Sequence, residues 1–232
     1  MKASGILAAL ALAAAGSGAL ADVVVVQSVE QTGKPYLATQ VTLKVKGPKI
    51  RADLGPETTI IMDTASGATI TLRHPQKTAL EIDAAATRQL MNQAENLRGA
   101  TEIGKAQLQP AGKGETIAGR ETRRYTVQTA AIKMTWWLAD KSGEHDPLAE
   151  VFETLQKAPM VRLAGGLSGL PGGDELPGLP VKTELLTPDG RTITTTLLSV
   201  QEGPLDAIDF AAPASYRRLT GPVFGPAPSA AP

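Results

Sequence analysis

The sequence predicts a mainly β fold of the α+β class, with antiparallel strands and two helices. Three observations carry that prediction. β-Branched and alternating runs recur along most of the chain, compact turn signals separate them, and only two stretches space their apolar residues as a helix does.

Val23 to Val26 is a continuous β-branched run. Val41, Leu43 and Val45 then alternate with Thr42, Lys44 and Lys46, so one face is apolar and the other wet, as a half-buried antiparallel strand requires. Gly47-Pro48 makes a turn, after which Ile50, Ala52 and Leu54 continue the inward set and Arg51 and Asp53 face outward. Glu57 to Met62 and Thr69 to Leu72 are β-rich runs around Ser66-Gly67, a hairpin signal, and Lys77 to Ile82 adds another strand. A helix follows from Ala84 to Leu97, with Leu90, Met91, Ala94 and Leu97 on one face.

Arg123 to Gln128 and Ile132 to Leu138 are strands joined by Thr129-Ala130-Ala131. Asp146-Pro147 starts the second helix, because aspartate caps free amides and proline loses no hydrogen bond at the first helical position. Leu148, Val151, Phe152 and Leu155 give its apolar stripe, and Pro159 ends it. Val181 to Leu186 and Thr192 to Val200 form a hairpin around Pro188-Asp189-Gly190.

The first twenty-one residues read as an address. Lys2 precedes the apolar run Ile6 to Ala15, and Ala19-Leu20-Ala21 has the small-x-small form that signal peptidase cuts. The run is too short to anchor in a bilayer. The expected organisation is a signal peptide over 1–21, one domain over 22–220 and a Pro/Ala-rich disordered tail over 221–232. The expected location is the periplasm or the exterior, soluble after cleavage near Ala21, without a membrane span.

Basic and acidic residues are equal at 23 each, and losing Lys2 with the signal leaves one acid in excess. Nucleic acid binding needs clustered cations and stacking aromatics, so this balance, with eight aromatics in all, argues against it. The absence of cysteine excludes disulfides, thiol redox chemistry and thiolate metal sites. Two motifs invite chemistry and fall short of it. Asp63-Thr64-Ala65-Ser66 resembles an aspartic protease loop but has Ala65 for glycine and no second copy, so Asp63 reads as a strand end before a turn. His74 and His145 sit far apart in loops with no metal-ligand spacing, and no G-x-S-x-G elbow is present. The expectation is no enzyme, no cofactor, no metal and no catalytic residue.

Two features remain as candidates for binding. Trp136 and Trp137 are neighbours on a strand and therefore face opposite sides, Trp136 inward with Ile132, Met134 and Leu138. Each is a core residue or, alternatively, one lines a ligand cavity. Residues 164–180 form a Gly/Pro-rich stretch longer than ordinary connections, either a surface loop or a lid whose Leu167, Leu170, Leu176 and Leu179 cover apolar surface. The candidate ligand set is thus Trp136, Trp137, Met134, Leu167, Leu170 and Leu176.

Gly114-Glu115-Thr116-Ile117-Ala118-Gly119, Tyr125-Thr126-Val127 and Met134-Thr135-Trp136-Trp137-Leu138 together resemble a secreted bacterial family built on a domain of unknown function. Gly178-Leu179-Pro180-Val181 also fits the end of that family, and the closing Phe210, Pro213 and Tyr216 look like the last strand of the LolA/LolB lipoprotein-carrier superfamily. That resemblance implies a curved antiparallel sheet, an incomplete β-barrel closed by about two helices over an acyl-chain cavity. It implies a lipid or other apolar small molecule as partner, held without catalysis. The competing expectation is a structural or interaction module of the cell envelope, partnered by an envelope protein, whose core fills itself.

Overall fold

The structure, a computed structural model, describes residues 22–33, 37–100, 106–129, 132–159, 161 and 171–220. Residues 1–21 and 221–232, expected to be a signal peptide and a tail, lie outside them. Six strands come first as an antiparallel meander: β1 (Val23–Gln31), β2 (Leu37–Lys46), β3 (Lys49–Leu54), β4 (Thr58–Asp63), β5 (Thr69–Arg73) and β6 (Thr78–Ile82). Helix α1 (Ala84–Ala100) starts where the Asp83 carboxylate accepts the Ala86 amide at 2.8 Å. It leads to β7 (Gln109–Lys113) at the opposite edge of the sheet.

The second run is β7, β8 (Thr122–Gln128), β9 (Lys133–Ala139), helix α2 (Pro147–Lys157), β10 (Leu179–Leu186) and β11 (Thr192–Glu202), and β11 closes against β1 in the middle. A last strand, β12 (Arg217–Thr220), adds parallel to β6. The result is one open twelve-stranded sheet, antiparallel at every other pairing. The mainly β, antiparallel architecture with two helices is the one the sequence predicts.

The main core lies between α2 and one face of the sheet. It joins Leu148, Ala149 and Val151 of α2 to Ile50, Val45, Val23, Val25, Leu197, Val181, Leu179, Trp137 and Ala139. Those residues come from six neighbouring strands. Helix α2 itself packs on β1, β10 and β11 at the middle of that set, and side chains of the flanking strands complete the cluster.

The second face of the β2–β6 half is not wet. Arg51 pairs with Ile61 across the β3–β4 ladder, opposite in parity to Ile50 and Met62, which belong to the α2 side. On Ile61's side the segment 203–216 lies across the strands, with Phe210 buried against Ile61, Leu72 and Ala79. Arg51 and Asp53 are therefore half-buried beneath it rather than exposed, because the chain returns to cover them. Leu54, expected inward, is 38% exposed at the end of its strand. The Phe210–Tyr216 stretch is likewise not the closing strand. Phe210 ends a 3₁₀ turn (Ala207–Phe210), and only β12 beyond Tyr216 is extended.

Candidate ligand site between helix α2 and residues 171–178

The site is built outward from Asp146. Its carboxylate accepts the Leu148 amide at 3.1 Å, capping α2, and the Ser142 amide at 2.7 Å. It also takes a two-pronged bond from Arg120, whose Nη1 and Nη2 lie 2.7 and 2.8 Å from its two oxygens. The Asp146 side chain is 1% exposed and that of Arg120 17%. Burial works against its ionisation, but Arg120, with the Ser142 and Leu148 amides, outweighs this and lowers its pKa to about 2.

Arg120 is delivered by a tight hairpin. Ile117 and Arg120 exchange two backbone bonds of 2.9 Å around Ala118 and Gly119, both at positive φ (+47° and +78°). Ile117 plugs into the main core beside Trp137. The glycine-bearing 114–119 stretch singled out in the sequence thus positions a cation under the start of α2. Sequence reading finds Asp146 as a cap but misses Arg120, which is 26 residues away with no local signal of their pairing.

The other wall begins after the helix. Gly173 lies so close to α2 that a Cβ there would sit 2.5 Å from the Gln156 side-chain amide and 3.0 Å from the Phe152 ring. At Gly178 a Cβ would sit 2.7 Å from the Ala139 carbonyl. These two glycines are required for close approach rather than for freedom, so the described part of the Gly/Pro stretch is a packed wall. Between this wall and α2 lies a cavity of about 410 Å³. Phe152, Leu176, Pro177 and Leu179 give it apolar surface, and Asp140, Lys141, Glu153, Gln156 and Asp174 are its polar lining.

The candidate residues divide between two places. Trp136 and Leu138 are buried with Val127, and Met134, Tyr125 and Leu176 pack against them. Trp137 is 9% exposed and belongs to the α2 cluster instead, as alternation along β9 requires. Its ring is occupied by the protein itself: Lys182 Nζ stands 4.6 Å from the ring centroid, and a Cβ at Gly114 would sit 2.8 Å from its edge. Lys182 in turn pairs with Glu115 at 2.6 Å. Of the four that are described, Leu176 alone lines the cavity, and it also touches the Trp136 cluster. Leu167 and Leu170 lie outside the described residues.

The remaining polar motifs have structural partners. Asp63 accepts the Ala65 and Ser66 amides, each at 3.0 Å, which together with Lys49 holds its carboxyl below the usual range against partial burial. His74 bridges the Tyr216 hydroxyl (2.7 Å) and the Thr59 hydroxyl (2.9 Å), and Thr59 donates to Asp53 at 2.6 Å. Thr59 is 1% exposed, and His74, Tyr216 and Asp53 around it are half-buried. His145 pairs with Glu150 at 2.7 Å and Glu202 at 2.9 Å. Among the described residues no three His, Asp or Glu side chains are grouped to hold a metal, and no helix is long and apolar enough to cross a membrane.

A family model described as a domain of unknown function (DUF4412) matches residues 29–216. The chain belongs to that family. The matched DUF4412 range contains every residue on which the resemblance to an unknown-function family rests. No curated protein matches this DUF4412 chain. Among solved structures it is similar to PNGF-II at 9% identity and a TM-score of 0.41, covering 88% of this chain and 31% of that one. The chain therefore spans about a third of the PNGF-II structure. A putative outer membrane lipoprotein-sorting protein domain from Vibrio parahaemolyticus matches at 11% identity and TM-score 0.34, covering 82% of this chain and 89% of that one. A LolA superfamily protein from Nitrosomonas europaea matches at 6% identity and TM-score 0.31, covering 82% and 90%.

Proposed function

We propose that this DUF4412 domain is a soluble periplasmic or secreted protein, cut near Ala21, that holds a lipid or other apolar ligand without reacting on it. The observation that carries the reading is the cavity of about 410 Å³ beside α2, with Phe152, Leu176, Pro177 and Leu179 on its walls. Its volume falls in the range of about 300–1,000 Å³ usual for small-molecule sites. Its frame is rigid where it matters, since Asp146 and Arg120 fix one end of α2 and two close-packed glycines fix the facing segment. Leu176 extends the site toward Met134 and Trp136.

A second reading is an envelope interaction module that fills its own core. It is favoured by Trp137, whose ring is already covered by Lys182 and the 114–120 hairpin. Native mass spectrometry of protein purified from its own envelope separates the two. A ligand reading expects an apolar molecule to co-purify and to be recovered by lipid extraction. The same intact mass reports where the mature chain begins, expected at Asp22. A clean unliganded mass across hosts would instead support the self-filled module.

A further inference from the structure

The cavity's floor and mouth differ in chemistry, and the mouth carries information about the ligand's head. Its lining holds three carboxylates, Asp140, Glu153 and Asp174, against one cation, Lys141. Lys141 is bound to Glu153 at 3.0 Å, with both side chains more than half exposed. Asp140 is met from outside the lining by Arg123 at 2.9 Å. Asp174 has no ion-pair partner among the described residues; it is an exposed member of the lining, next to Gly173, which packs against Gln156 and Phe152 of α2.

Resting on the reading of this cavity as a ligand site, we propose that its ligand is an amphiphile with a cationic head, an alkyl ammonium rather than a carboxylate or phosphate. The tail lies against Phe152, Leu176 and Leu179, and the ammonium sits at the mouth where Asp174 is free to receive it. An anionic head in the same place meets three carboxylates against Lys141 and Arg123, a net excess of one negative charge with both cations already engaged. Each ion pair at such an exposed rim contributes modestly, so the preference amounts to about tenfold in affinity and falls with salt. The carboxylates choose the head; the cavity makes the site.

Calorimetric titration with three twelve-carbon probes tests this below their aggregation limits: dodecanol, dodecyltrimethylammonium and dodecanoate. Dodecanol reports the cavity alone, and its binding should weaken in Leu176→Phe, which fills the space. Dodecyltrimethylammonium should bind about tenfold tighter than dodecanoate at low salt, the gap closing near about 0.5 M salt. Asp174→Lys should reverse the order while leaving dodecanol unchanged. Equal or tighter binding of dodecanoate to the unmodified protein, or an order untouched by Asp174→Lys, overturns the head-group proposal and leaves the cavity reading standing. Failure of all three probes, or dodecanol binding indifferent to Leu176→Phe, overturns the cavity reading and the proposal with it.

Discussion

Two irregular segments lie against the same sheet and do opposite things. Residues 203–216 seal a face, and residues 171–178 leave a space. The first is held at every few residues: Asp22 accepts the Leu205 amide at 2.8 Å, Lys44 pairs with Asp209 at 2.7 Å, Arg51 donates to the Asp209 carbonyl at 2.7 Å, and Tyr216 bonds His74 at 2.7 Å. Between those ties Phe210 fills the apolar ground over β4, β5 and β6. The second segment approaches its neighbours closely at Gly173, Gly178 and Leu176, and the volume beside them is unfilled. A covering segment with a large buried anchor closes a face, whereas one built from close-approach glycines frames a cavity. The difference lies in side-chain volume rather than in loop length.

The sharpest way to break that comparison is to remove each anchor in turn. Phe210→Ala should cost about 3–5 kcal/mol, as for other large buried aromatics, because its surroundings cannot collapse into the hole. Leu176→Ala should cost only about 1 kcal/mol, since this half-buried side chain already borders open volume. Urea unfolding of both variants reads the two costs. Equal costs would mean that the cavity wall is packed as tightly as the sealed face.

Ten of the twelve strands were legible because their signals are local, whereas β7 and β12, at the two sheet edges, carry no alternating apolar run and were not read. Val41, Leu43 and Val45 alternate, and Pro188-Asp189-Gly190 turns the chain where β10 meets β11. Parity along β9 separates Trp136 from Trp137, but Trp137, expected outward, is the one that enters the main core, because α2 covers its face, while Trp136 is buried in a smaller cluster on the other face. What sequence could not give is contact at a distance. Arg51 and Asp53 read as wet because nothing near them announces that residues 203–216 will cover them. Arg120 and Asp146 find each other only through the fold. Glycine is ambiguous for a physical reason: the letter permits freedom and close approach alike, and only the neighbours of Gly173 and Gly178 show that closeness governs there. The cavity was thus half visible, as an odd segment containing Leu176, but its facing wall, Phe152, read only as helix core.

A smaller effect sharpens the contrast on the cavity side. With its carboxyl lowered from 3.8 to about 2, Asp146 contributes stability that is fully present above about pH 4 and lost as pH falls through about 2. The shift corresponds to roughly 2 kcal/mol, at about 1.4 kcal/mol per unit. Asp146→Asn should lose that increment at neutral pH and flatten the acid limb of the stability profile between pH 4 and 2. It should also loosen α2 and weaken retention of any bound apolar probe. A variant with the same acid limb as the parent would move the stabilising charge elsewhere.

The smallest effect tests whether the start of α2 has a second tie besides Asp146. His145 lies between Glu202 of β11 and Glu150 of α2, with its side chain 57% exposed. The hydrogen bond to Glu202 and the charge of Glu150 raise its pKa above the ordinary value of 6.5. A raised histidine pKa stabilises the fold below about 6.5 and ceases to do so as pH rises through the higher folded value. His145→Gln should therefore melt slightly below the parent at pH 5 and converge with it at pH 9, with the gap shrinking in high salt because the pair is open to solvent. The comparison predicts one more asymmetry. Weakening this tie should alter exchange of a probe in the α2 cavity while leaving protection of the amides under residues 203–216 unchanged, as hydrogen exchange would show. Protection lost equally on both sides of the sheet would make the two segments one cooperative unit, and the division between sealing and framing would fail.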